Sequence, residues 1–223
     1  MARTYFSLTR MARLWAATST LCACFVSSAF ADNPRILTIG DSMLVWNFRN
    51  SIPQQLDRMT NASVTNRAAI GATMLSGEIS RQFYESDWDI VIVNGGGNDL
   101  LFGCGCLACD RTLNSLISED GRSGAIVDLL TTIKQTVPRV IYVGYLRSPG
   151  VGSAIEHCAD EGNELEGRIH DFMAANDGMD FVSLTWIVPD GDRSFHSFDM
   201  IHPSSHGSRV ISMVILDTLI SAQ

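Results

Sequence analysis

The run Arg35-Ile36-Leu37-Thr38-Ile39-Gly40-Asp41-Ser42-Met43 begins as an apolar strand and ends where a helix should start. The glycine between them allows a sharp turn, and Ser42 falls at the helix entrance. A hydroxyl there sits at the carboxyl end of a strand and beside the positive end of a helix, a favourable position for a nucleophile. Two later segments supply what such a nucleophile needs. Asp199-Met200-Ile201-His202 offers a carboxylate and an imidazole, and Gly96-Gly97-Asn98-Asp99 offers an amide donor after another apolar run.

Outward from this run, short apolar segments alternate with longer helix-like ones. Strands are predicted at 35–39, 63–68, 89–94, 140–145 and 179–184, with Ile90-Val91-Ile92-Val93 the clearest. Helices are predicted at 44–59, interrupted by Pro53, and at 124–137, 159–176 and 204–220. Ile126, Leu129, Leu130 and Ile133 share one face of the second of these, and Pro138 stops it. Strands alternating with helices imply an α/β fold whose mostly parallel, five-stranded sheet is covered on both faces. Residues 103–110 and 148–154 read as surface loops able to border a site.

The chain has 223 residues. Its first 31 read as a signal peptide: Arg3, Arg10 and Arg13 precede a mostly apolar segment, and Ala29-Phe30-Ala31 fits cleavage before Asp32. The apolar segment is shorter than the roughly 18 residues of a spanning helix. Residues 32–223 then form one domain, exported to a periplasmic or extracellular space, with no transmembrane segment after cleavage. The signal holds three of the 16 basic residues and none of the 24 acidic ones, leaving 13 against 24, or −11. Such a surface disfavours phosphate backbones, so nucleic acid is excluded as a partner.

Four cysteines remain: Cys104, Cys106, Cys109 and Cys158. An even number in an exported chain favours two disulfides, and four cysteines allow three pairings. A Cys104–Cys106 bridge is the least favourable, with one residue between its ends. A bridge inside the 104–109 loop and another tethering that loop to Cys158 is the preferred arrangement. A metal site is the rival reading, but the spacing lacks paired C-x-x-C motifs.

Ester cleavage near neutral pH requires a nucleophile, a base and donors for the developing oxyanion. Ser42 is the candidate nucleophile, His202 the base and Asp199 the carboxylate that orients it. The N–H groups of Ser42 and Gly71 and the side-chain amide of Asn98 are the candidate oxyanion donors. Each has a plainer role: Ser42 as a helix cap, Asn98 as a turn cap, and Asp199 and His202 as caps of the last helix. Their joint occurrence at strand ends favours one site. His157, His170 and His196 are expected to be exposed, and His206 to be solvated or structural. Met43, Leu44, Trp46, Leu100, Phe102 and Tyr145 are candidates for an acyl pocket, while Arg147 is expected to be exposed.

These blocks resemble the SGNH, or GDSL-type, hydrolase family. Gly40-Asp41-Ser42 matches its nucleophile block and Gly71 falls in its second. Gly96-Gly97-Asn98-Asp99 matches its Gly-x-Asn-Asp, and Asp199-Met200-Ile201-His202-Pro203 its Asp-x-x-His-Pro. The blocks stand in family order. The second departs from the common Asn-x-Gly-x-x-Gly, since Ala68 occupies its middle position. The resemblance implies a flavodoxin-like three-layer αβα sandwich, Ser42, His202 and Asp199 as the triad, and Ser42, Gly71 and Asn98 as the oxyanion hole. It also implies no metal and no organic cofactor. The expected activity is a secreted serine esterase acting on a small-molecule, glycan or lipid carboxylic ester. A carbohydrate O-acetylesterase or O-acyltransferase with the same triad is the alternative, and a non-catalytic glycan- or protein-binding module is less favoured. The cysteine-rich segment after Asn98 lies outside the family pattern.

Overall fold

The computed structural model describes residues 33–150 and 152–221; the predicted signal peptide lies outside them. Five parallel strands form one sheet: β1 (Arg35–Ile39), β2 (Ser63–Asn66), β3 (Ile90–Val93), β4 (Arg139–Val143) and β5 (Met179–Val182), in the spatial order β2-β1-β3-β4-β5. Leu37 of β1 pairs with Thr65 of β2 and Val91 of β3, and Ile141 of β4 pairs with Ile92 and Asp180. The three central strands are buried, which is why their apolar runs were legible. β2 is a half-exposed edge, and its sequence is correspondingly weaker in pattern.

Side chains alternate along each strand, so one sheet builds two cores. Leu37, Ile39, Val91, Val93 and Val140 face α3 (Asp110–Leu116), α4 (Ala125–Lys134) and α5 (Ala159–Ala174). Ile36, Ile90, Ile92, Ile141 and Val143 face α1 (Ser42–Val45), α2 (Ile52–Met59) and α6 (Ser205–Ser221). This is the three-layer flavodoxin-like sandwich. Arg139 ties the second layer down: Nε pairs with Asp180 at 2.8 Å, and both terminal nitrogens donate to carbonyls at the end of α6. A guanidinium there satisfies helix-end acceptors and the negative end of the dipole.

Two local differences from the sequence reading have clear causes. The segment 44–59 is three pieces, because Asn47 and Phe48 take left-handed backbone and Pro53 sits in the first turn of α2. The segment after Asn98 is not a simple loop. Asp99–Cys104 forms a π-helical turn and α3 follows almost at once. With only Leu113 and Leu116 buried on α3, its periodicity was too short to read. The four cysteines pair as Cys104–Cys109 and Cys106–Cys158, the preferred arrangement.

The strand order reverses between β1 and β3, and the loops at their carboxyl ends open the crevice where open α/β sheets bind ligands. Gly40 lies at this point with φ +154°, and a Cβ there would stand 2.6 Å from the carbonyl oxygen of Asn94. Gly40→Ala is therefore expected to cost about 1–3 kcal/mol of overpacking, lowering Tm by roughly 2–12 °C. Calorimetry checks this; an unchanged Tm would show that the turn relaxes freely.

Candidate active site

The turn after β1 is held by an amide clamp. The buried Gln82 accepts from Gly40 N–H at 2.6 Å and donates to Gly40 C=O at 2.9 Å. Asp41 caps α1 by accepting from Met43 N–H at 3.0 Å, and its other oxygen accepts from Tyr145 O–H. Tyr145 O–H in turn accepts from Gly97 N–H at 2.9 Å. One chain of bonds thus joins the loops after β1, β3 and β4. Burial raises the Asp41 carboxyl above its ordinary range, partly opposed by the Tyr145 and Met43 hydrogen bonds. Ser42 follows as the first residue of α1, buried but open to a cleft.

Asp199 and His202 come from a tight loop before α6. An isolated pairing of His196 with Pro203 closes it, and Ser197 N–H donates to His202 C=O at 2.7 Å. Asp199 Oδ1 accepts from the N–H groups of Ile201 and His202, each at 3.1 Å, while Met200 takes left-handed backbone. The other oxygen, Oδ2, lies 2.7 Å from His202 Nδ1, and His202 Nε2 lies 2.8 Å from Ser42 Oγ. A proton on Nδ1 satisfies the carboxylate and leaves the Nε2 lone pair to accept from the serine hydroxyl. Burial pushes the Asp199 carboxyl up, but the His202 side chain and the two backbone N–H groups outweigh it and hold the carboxyl below its ordinary value. Asp199 is thus kept ionised beside the imidazole.

Gly71 and Asn98 line the same cleft. Gly71 adopts φ +76°, and nothing lies within 4 Å of a Cβ built on it, so its cost to substitution is backbone strain. Asn98 Nδ2 donates one hydrogen to Ala72 C=O at 2.9 Å, leaving its second for another acceptor. Asp99 locks the two loops together: its oxygens accept from Met74 N–H at 2.8 Å and Leu75 N–H at 2.9 Å. Burial raises the Asp99 carboxyl despite these bonds. The sequence-predicted residues Ser42, Gly71, Asn98 and His202 therefore meet at one cleft of ≈ 570 Å³, with Asp199 behind the imidazole.

Five residues have other roles than the sequence suggested; Leu44, expected to line a pocket, is fully buried in the core and absent from the cleft. Trp46 is no pocket wall: its ring stacks on His202 with centroids 3.8 Å apart and planes 8° from parallel, and its Nε1 donates to Ser197 Oγ at 3.0 Å. Trp46 ends α1 in extended backbone, so no helical spacing from Ser42 signalled this role. Tyr145 lines the cleft but also serves as the hydrogen-bond hub described above. Arg147, expected to be exposed, is mostly covered and pairs with the buried Glu166 at 2.8 Å. His196, also expected to be exposed, is buried, with neither ring nitrogen hydrogen-bonded among the described residues. His157, His170 and His206 are exposed. Cys106, His157 and Cys158 gather within 4.8 Å, but the two sulfurs are bonded to each other, which removes the thiolates a metal would need.

A family model for the GDSL-like lipase/acylhydrolase family matches residues 38–210, and the chain belongs to that family. Solved structures repeat the fold. A lipase from a goat rumen metagenome is 18% identical, with a TM-score of 0.58 over 83% of this chain and 97% of that one. A family 3 carbohydrate esterase of Clostridium thermocellum is 20% identical, with a TM-score of 0.60 over 85% and 98%. A family 2 carbohydrate esterase of Corynascus, which carries a further carbohydrate-binding domain, is 16% identical, with a TM-score of 0.61 over 88% and 68%. At these identities the likeness establishes the fold. A search of curated proteins found no match. The chain is thus a member of an SGNH-type hydrolase and esterase family.

The buried His196 makes the loop sensitive to acid. Burial lowers its pKa below the ordinary 6.5, partly opposed by the nearby Asp199 carboxylate. Below that pH the unfolded chain takes up a proton here that the folded chain refuses, so stability falls as pH drops towards the folded pKa. In His196→Phe the fall in Tm between pH 7 and pH 5 is expected to be smaller than in the parent. Thermal melts at both values measure it, and equal falls would remove His196 as the cause.

Proposed function

We propose that this chain is an exported serine esterase that hydrolyses carboxylic esters through Ser42, His202 and Asp199. The observation that carries the reading is the unbroken hydrogen-bond path from Asp199 through His202 to Ser42, ending in a cleft that Gly71 and Asn98 also line. His202 Nε2 takes the Ser42 proton as Oγ attacks the ester carbonyl, and Asp199 stabilises the imidazolium. The N–H groups of Ser42 and Gly71 and the free hydrogen of Asn98 bind the oxyanion. His202 returns the proton to the departing alcohol, leaving an acyl-enzyme. Water, activated by the same base, then releases the acid. Export is supported by residues 1–31 and by the two disulfides, which persist in oxidising compartments.

Hydrolysis of a chromogenic ester panel by residues 32–223 and by its variants tests this. Ser42→Ala is expected to lose roughly 10³-fold or more in kcat. Asn98→Ala is expected to lose roughly 10²–10³-fold in kcat with little change in KM, because its bond strengthens only as the oxyanion forms. Equal activity in the parent and Ser42→Ala would sink the mechanism. Transfer to added alcohols in preference to water would move the reading to an acyltransferase.

A further inference from the structure

The proposed chemistry divides the cleft into two sides. The leaving oxygen must lie within reach of His202 Nε2, and the oxyanion must face Asn98 and Gly71. The acyl chain therefore leaves the reacting carbon on the side away from the imidazole. The cleft's apolar walls include Leu100, Leu101 and Phe102 of the π-helical turn, Leu146 after β4, and Ile155 and Leu165 around the start of α5. Its charges are already occupied. Arg147 pairs with Glu166, which also accepts from Tyr145 N–H at 2.7 Å. Glu156 at the rim accepts from Gly152 N–H and Ser148 O–H. A cleft of ≈ 570 Å³ is far larger than a two-carbon acyl group requires and lies in the range that encloses a drug-sized ligand.

The wall owes its shape to covalent ties. The π-helical turn is six residues long, and Gly105 and Cys106 after it both take left-handed backbone. Cys104–Cys109 closes this segment on itself, and Cys106–Cys158 fastens it to the residue before α5. Cys106 and Cys158 themselves line the cleft, so the second bridge joins two of the segments that wall it.

Resting on the esterase reading, we propose that this groove takes a linear apolar acyl chain well beyond acetyl, and that the Cys106–Cys158 bridge sets the chain-length preference by joining two of the segments that wall it. The test is kcat/KM on 4-nitrophenyl esters from acetyl to dodecanoyl. In the parent it is expected to rise by about fourfold per methylene over the first several carbons. In the Cys106→Ser/Cys158→Ser double variant the octanoyl-to-acetyl ratio is expected to fall at least tenfold. Ile155→Trp, which fills the groove and leaves the bridge intact, is expected to lower the same ratio. A profile highest on acetyl, or a ratio unmoved in both variants, would overturn the proposal while leaving a Ser42-dependent esterase standing. Calorimetric titration of Ser42→Ala with methyl ketones reads the groove without turnover. At least tenfold tighter binding of 2-decanone than of 2-butanone supports it even if no ester is cleaved, and equal affinity overturns it.

Discussion

The site depends on one constraint, the fixed position of the turn at Gly40. Two buried hydrogen bonds to the side-chain amide of Gln82 hold both polar groups of that residue, supplying in a loop what a neighbouring strand supplies in a sheet. The absence of a side chain lets the turn pass against Asn94, whose amide donates to Val143 C=O at the end of β4. The serine hydroxyl inherits its place from this packing, and every distance to the imidazole is measured from there. A site built on strand ends is more rigid than one built on loops alone, and here the loops are bonded back to the strands.

Much of this was legible in the sequence, for reasons that differ by element. The central strands announced themselves because burial on both faces demands unbroken apolar runs, as in Ile90-Val91-Ile92-Val93. Ser42, Gly71 and Asn98 were legible because each follows a strand, where a parallel sheet collects its loops. Asp199 and His202 were readable as a pair because three positions in one tight loop bring carboxylate and ring together.

The rest depended on contacts between distant positions. Nothing in the local sequence of Trp46 says that its ring will lie on His202, 156 positions later. His196 sits in a polar stretch and reads as solvated, but the pairing with Pro203 turns it inward. Arg147 reads as a surface cation until Glu166 on α5 is placed beside it. The π-helical turn also escaped, because its i-to-i+5 bonding has no distinctive apolar period. Local periodicity reports burial against a sheet; it does not report which polar groups will find each other.

The stacked indole has a consequence beyond alignment. An aromatic face is electron-rich and attracts a cation placed over it more than a neutral ring. In the proposed reaction His202 takes the serine's proton and gains positive charge as the serine attacks, so the Trp46 face 3.8 Å away interacts more strongly at the summit of the barrier than before it. Part of the selectivity for the transition state then resides in a ring that lies on the face of the imidazole and whose nitrogen donates to Ser197 Oγ.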